Sequence, residues 1–455
     1  MRALKLILIA AGLMVPACSG QSLLDQVNFA NGPQAGGIHL LGASVFSGYS
    51  TSAYPQAAAN LYTVLGPNLG GDGSYGATFG LGWQGRGQNG DLSVLYTGTY
   101  SGQIRYSNLN GYSQTLAISA AYRLGPNWTF TLAGNGGVMN LSEYMYQPSP
   151  QSVITQVPAN FDDLAAAVGA GQYTNTEVAA LLTGSPILQS PARALLMADR
   201  VLSYSAQAGL TYRASDRLTF HFAGFAAAGQ SLLSGQENSP APVSYIMPRT
   251  LSANGGVSFS YSLSPTTTLN AEVDVIRTLN HFDNLYDMAA TAGIGRKIGE
   301  RWFLNIHAGG NYNIVTEQVA GSPAERQIIG GASLGFRAGA HTFLTSYQRS
   351  GTDGYAFAVG TFSSTSGSWS WRPPGTRLGV TASFGDVQTR NAGFVSLSGW
   401  EGAGGLFFSL NPHMSMTAQY VYMNDVGTYL GTYARMAVQS VRLTFGWAPR
   451  SLQQH

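Results

Sequence analysis

Charge is scarce in this chain. Of its 455 residues only 10% are Asp, Glu, Lys or Arg, against roughly a quarter in ordinary globular proteins. A fold of this length wetted on its whole surface would need far more. Cysteine is scarcer still. The single one, Cys18, falls within the N-terminal leader, so the rest of the chain can form no internal disulfide and no thiolate metal site. Long apolar runs are missing too: after residue 20 nothing approaches the roughly twenty apolar residues that a spanning helix needs. Yet 44% of the chain is hydrophobic and mean hydropathy is +0.02. The net charge of +2 is small and dispersed, which excludes nucleic acid as a partner.

What is present is alternation. Trp128, Phe130 and Leu132 share one face of a segment whose other face carries Thr129, Thr131 and Asn135. Leu202, Tyr204, Ala206, Ala208, Leu210 and Tyr212 alternate in the same way with Ser203, Ser205, Gln207, Gly209, Thr211 and Arg213. A period of two is that of an extended strand. One face apolar and ending in aromatics, the other small and polar, is the pattern of a barrel with lipid outside and water inside. Short connections such as Leu124-Gly125-Pro126-Asn127, Ser264-Pro265-Thr266-Thr267, Ile298-Gly299-Glu300-Arg301 and Leu410-Asn411-Pro412-His413 alternate with longer polar ones. The expected fold is all-β: a transmembrane antiparallel up-and-down barrel over 38–447. It has about eighteen strands, or sixteen, the first strand at 38–49 being the weakest, and short turns on the periplasmic side.

Aromatic placement points the same way. Trp83, Trp128, Trp302, Trp371 and Trp447 all fall on the apolar face beside a short turn or the C-terminal end, as a girdle in the headgroup layer would. Tyr49, Tyr100, Tyr347, Tyr355, Trp400 and Tyr422 are placed for a second girdle at the other end. The last strand, Ser440-Val441-Arg442-Leu443-Thr444-Phe445-Gly446-Trp447, resembles the C-terminal signal of bacterial outer-membrane barrels of the porin-like class. It departs from that signal in Arg442 and in the tail 448–455. The resemblance is general and carries no motif of a particular porin family. It implies the outer membrane as location, with its lipid and the barrel assembly machinery as partners.

The leader fits export: Arg2 and Lys5 precede an apolar stretch from Leu6 to Val15. Residues 1–20 are expected to be a cleaved signal peptide, followed by a short periplasmic segment at 21–37. A lipobox reading of Val15-Pro16-Ala17-Cys18, with a lipidated Cys18, stays open beside cleavage after Ser19 or Gly20.

One connection is far longer than the others. Residues 138–199, the third outer loop, carry helical signals: a capping box at Thr174-Asn175-Thr176-Glu177, an N-cap and first-turn proline at Ser190-Pro191 with a helix running to Arg200, and Asn160 before Phe161-Asp162-Asp163-Leu164. In porins of similar architecture the third loop folds inward and narrows the pore. A loop that caps the outside is the alternative.

Inward positions are mostly neutral and polar, among them Ser93, Thr97, Asn135, Gln207, Asn254, Ser258, Asn305, Thr381, Ser383, Thr417 and Gln419. By parity Arg123, Arg213, Lys297, Arg337, Arg377 and Arg442 also point inward, as a basic ring near the periplasmic end that would concentrate anions. They could equally snorkel to periplasmic water. Glu272 and Asp274 stand higher on one strand, about 7 Å apart, with His221 two strands away and His307 near Asn305. Gly331-Ala332-Ser333-Leu334-Gly335 spells a hydrolase nucleophile elbow and Gly80-Leu81-Gly82-Trp83-Gln84-Gly85 a dinucleotide fingerprint, but both lie in alternating segments without a following helix. No catalytic, cofactor or metal site is expected, and no enzyme. The leading expectation is passive passage of small polar solutes. Exopolysaccharide export and an adhesive barrel with a closed bore are alternatives. The small residues at Ala206-Ala208, Ala290-Ala292 and Gly402-Gly404 leave a homo-oligomer open.

Overall fold

The structure is a computed structural model describing residues 37–51, 71–105, 107, 110–140, 161–170, 178, 200–232, 249–279, 284–315, 325–352, 359–391, 395–429 and 432–449. Among these the strands are β1 (His39–Ser50), β2 (Asp72–Arg86), β3 (Gly90–Gln103), β4 (Gly111–Arg123), β5 (Trp128–Asn140), β6 (Arg200–Arg213), β7 (Leu218–Ser231), β8 (Thr250–Ser264) and β9 (Thr267–Leu279). They continue as β10 (Asn284–Ile298), β11 (Trp302–Val315), β12 (Glu325–Ala338), β13 (His341–Thr352), β14 (Val359–Trp371), β15 (Leu378–Asn391), β16 (Val395–Asn411), β17 (Met414–Tyr429) and β18 (Thr432–Trp447). Between β5 and β6 stands one helix, α1 (Phe161–Gly169).

Each strand pairs antiparallel with its sequence neighbours, and β1 pairs with β18 as well as β2, so the sheet closes into an 18-stranded barrel. Eighteen spacings of about 4.8 Å at a tilt near 40° give a backbone diameter of about 36 Å. Side chains alone cannot fill that. Strands of 12 to 17 residues exceed the roughly ten needed to cross a bilayer core at that tilt.

Alternation sorts the two faces. Val45, Phe79, Leu116, Leu132, Val257, Val273, Phe384, Leu406 and Val441 are exposed on the outside, while Ser44, Thr78, Ala133 and Glu272, each next in the chain to one of them, are buried within. Solvent-exposed apolar side chains all round a closed sheet make a lipid-facing belt. Trp128 stacks on Tyr212 at 4.4 Å and Trp302 meets Phe336 at 4.1 Å, both outward beside short turns. At the other end Tyr75, Tyr100 and Tyr112 form a row across β2–β4, and Trp400 lies 4.9 Å from Tyr422. Tyr355 lies outside the described residues, as do Cys18 and the leader.

The strands are longer at the long-loop end than the sequence pattern indicates. β16, β17 and β18 run to Val395, Tyr429 and Thr432, leaving only residues 430–431 between the last two. Thr428 and Tyr429 sit as comfortably in a strand as in a polar loop, so the ladder zips past the expected bend. Arg200, where the long connection was expected to give way to the next strand, is the first residue of β6 and pairs with Asn140. The long connection therefore starts after Asn140 rather than at 138.

Candidate functional site: the bore and its helix

Helix α1 carries Phe161, Leu164 and Val168 on one face at helical spacing, and all three are buried. Asp162 and Asp163 occupy its first turn, where carboxylates favour the helix dipole. The apolar face packs on Phe303, with Val178 and Leu344 completing the cluster. Phe161 and Phe303 stack with centroids 6.2 Å apart. Phe303 is 1% exposed, although its neighbour Trp302 is 39% exposed on the lipid side. The helix therefore lies inside the barrel.

Its height and direction follow from its partners. Near its first turn Asp162 forms an ion pair with Lys297 of β10, directly beside a short turn. At the other end the Gly169 carbonyl accepts a hydrogen bond from Ser262 Oγ of β8 at 3.4 Å. Between them Val168 lies over Gly295, where a Cβ would come within 3.3 Å of Val168 Cγ1. Nine residues of helix span about 13.5 Å, close to the roughly 14 Å from β8 to β11. The helix is a bar across four strands at the short-turn end. Asn140 and Arg200, which bracket its loop, stand at the opposite rim.

From the seat of the bar upward the inward side chains of β9–β12 form level rows, each about 7 Å from the next along the strands; the helix covers the first two. The lowest row holds Lys297 and Phe303; the next Thr268, Gly295, Asn305 and Ser333; the third Asn270, Gly293, His307 and Gly331. Then come Glu272 with Thr291, Asp274 with Ala289 and Asn311, and Asp287 with Asn313. Asn311 Nδ2 donates to Asp287 Oδ1 at 3.1 Å, and Asn313 Nδ2 to the Gly351 carbonyl at 3.0 Å. His221 shares a 3.0 Å hydrogen bond with Thr211 on β6, away from the carboxylates.

The basic residues do not form one free ring. Arg123, Arg213, Lys297, Arg337 and Arg377 stand beside the short turns, but Lys297 is paired with Asp162, and Arg213 with Asp216 at 3.0 Å. Arg377 donates to the Leu410 carbonyl at 3.5 Å. Arg442 departs from the expected level. It sits in midstrand opposite Gln419 and Gly48, with its guanidinium 3.7 Å from the Phe46 ring centroid. Parity fixes only the face of a strand, and the level comes from counting back from Trp447.

No family model matches this chain, and no curated protein matches it significantly. Solved structures do align. The crystal structure of Pseudomonas aeruginosa OpdO covers 90% of this chain and 96% of its own, at 13% identity and a TM-score of 0.44. That of Acinetobacter baumannii OccAB4 covers 89% and 96%, at 9% identity and a TM-score of 0.44. That of the outer membrane protein OpdK of P. aeruginosa covers 89% and 97%, at 11% identity and a TM-score of 0.41. The barrel of this chain rests on its own strand registers.

Both enzyme-like spellings fall within strands: 331–335 inside β12, paired on both sides, and 80–85 inside β2, paired throughout with β3 and at 80–82 with β1 as well. Among the described residues no three His, Cys, Asp or Glu side chains group as a metal site would need. The capping-box helix lies outside the described residues apart from the Val178 that follows the box, and Ser190-Pro191 lies wholly outside them. Phe303 was not among the sequence-derived site residues. Its signal is Trp302-Phe303-Leu304, where apolar side chains fall on both faces of one strand and something other than lipid must cover the inner one. Phe343-Leu344 carries the same signal.

Proposed function

We propose that the protein is a passive channel of the bacterial outer membrane, with its short turns in the periplasm, and that helix α1 constricts its periplasmic mouth for small hydrophilic solutes. The observation that carries this reading is the bar itself: an amphipathic helix from the third long connection, seated by its apolar face on the inner wall of a bore lined mainly by Ser, Thr, Asn and Gln. A bore about 36 Å across at the backbone passes water and solutes unless something stands in it, and the helix stands at its narrow-turn end. Its exposed side, Asp163 included, faces what would pass.

Single-channel recording in a planar bilayer tests this, using the refolded chain and a variant lacking residues 145–195. Steady openings from the full chain, rising severalfold in the deletion, are the expected result. Silent bilayers from barrel shown to be folded by heat-modifiable migration would refute a passive channel. Equal currents from both forms would refute the constriction.

A further inference from the structure

On the outward face, at the long-connection end, two exposed arginines lean toward each other. Arg277 of β9 places its guanidinium 5.1 Å from the ring centroid of Tyr286 on β10, and Arg326 of β12 places its own 5.7 Å from that of Tyr312 on β11. Tyr286 faces Ile314 and Tyr312 faces Met288, so the two tyrosines are diagonal partners on adjacent strands, about 7–8 Å apart. Each arginine has thus crossed one strand toward the other. Arg277 Nε donates to Asn284 Oδ1 at 3.3 Å, a neutral partner. The outward positions of β8–β13 hold no Asp or Glu, because Glu272, Asp274, Asp287 and Glu325 all take the inward parity. Tyr312 stands on the same strand as Trp302 of the lower girdle, about ten residues higher. Ten residues at a tilt near 40° rise about 25 Å, the height of the apolar band, so the pair lies in the opposite headgroup layer.

We propose that Arg277 and Arg326, seated on Tyr286 and Tyr312, are a docking surface for the phosphate headgroup of an outer-leaflet lipid. The inference goes beyond the channel reading and needs only the orientation given there. One arginine at this height needs no more than interfacial water. Two that converge repel each other unless an anion stands between them. A phosphate meets a guanidinium fork with two oxygens at once, and ring faces hold the guanidinium without using its N–H donors. Below the pair Ala290 faces Gly310 and Ala292 faces Ala308, with Val273 on one side and Ile328 on the other. These short outward side chains leave a shallow strip along which an acyl chain can lie beneath the bound phosphate. The strip alone would suit a neighbouring barrel as well. The like charges at its head select the phosphate, since lipid headgroups surround the wall at this height. Along β1–β4 the same end carries Tyr49, Tyr75, Tyr100 and Tyr112 but no outward Arg or Lys, so the pair marks one arc of the girdle.

The test is native mass spectrometry of the refolded chain in a nonionic detergent. The probes are diphosphoryl lipid A, the same lipid stripped of its phosphates, and inorganic phosphate. One diphosphoryl lipid retained per chain, with at least tenfold less of the stripped lipid, is the expected result. Arg277→Gln with Arg326→Gln is expected to lower retention at least tenfold. Arg296→Gln, which removes an exposed outward charge at the short-turn end, is expected to leave it unchanged. Heat-modifiable migration shows whether the variants are folded, and the comparison of probes on the native chain stands without them. Equal retention by the double variant would overturn the assignment, as would equal retention of the two lipids. Inorganic phosphate held as firmly as the lipid would overturn it in favour of a free-anion site. A dimer mass that the double variant loses would overturn it in favour of a second copy on this face. Silent bilayers would refute the channel and leave this binding result standing, so the two failures are read apart.

Discussion

Along β2–β9 the inward polar groups answer one another across the strands. Ser93 meets Ser119 at 2.6 Å, Thr78 meets Thr99 at 3.1 Å, Ser205 donates to Asn135 at 2.8 Å, and Ser252 meets Thr278 at 3.2 Å. On β13 and β14 Ser346 and Ser366 do the same at 2.9 Å. From β9 to β12, under and beside the helix, amides and a hydroxyl stand buried without a hydrogen-bond partner. Both arcs are polar in composition. The first has closed its hydrogen bonds within the wall and can present water with a smooth lining. The second leaves each open group costing about 1–3 kcal/mol, a cost that lining alone does not explain. Residue type tells a lumen from a lipid face, and pairing tells which part of the lumen has closed its hydrogen bonds within the wall.

The largest effect is expected where the helix meets this second arc. Phe303→Ala removes the ring under Phe161, and loss of a packed Phe costs about 3–5 kcal/mol. The β11 ladder keeps its hydrogen bonds, so the loss falls on helix docking. Single-channel conductance is expected to rise toward that of the loop deletion, and an unchanged current would place the anchor elsewhere. Asp162→Asn comes next. Asp162 is 72% exposed at its side chain, so its pair with Lys297 is screened and contributes less than about 1 kcal/mol. Reversal potential in a salt gradient is expected to move toward anions, because Lys297 is left uncompensated, and the shift is expected to shrink as salt rises. The smallest effect belongs to the first arc. Ser93→Ala with Ser119→Ala removes both members of a satisfied pair, which is close to neutral. Conductance is expected to match the parent, and a clear change would dissolve the contrast between the arcs.

Much of this architecture was readable in the residues themselves. Strand number, the closure of the last strand on the first and the outward tryptophans follow from period two and from turns at regular intervals, because each strand is specified locally. Helix α1 was readable at Asn160 and Phe161-Asp162-Asp163-Leu164 for the same reason. Its seat was not, since Asp162 and Lys297 lie 135 residues apart and no local pattern links them. The unanswered amides were hidden as well. Asn305 and Asn135 have the same residue type, the same parity and a serine directly across the strand, yet Asn135 bonds to Ser205 while Asn305 makes no hydrogen bond to Ser333.

The strand order places α1 on β8–β11, in the middle of the sheet, while the seam between β1 and β18 lies on the far side of the barrel. This arrangement carries a consequence for assembly. While the sheet is still open, its concave surface can receive the helix from the side, with both edges well clear of it. Once β1 has zipped onto β18, the same helix would have to travel the length of a finished cylinder to reach the same place.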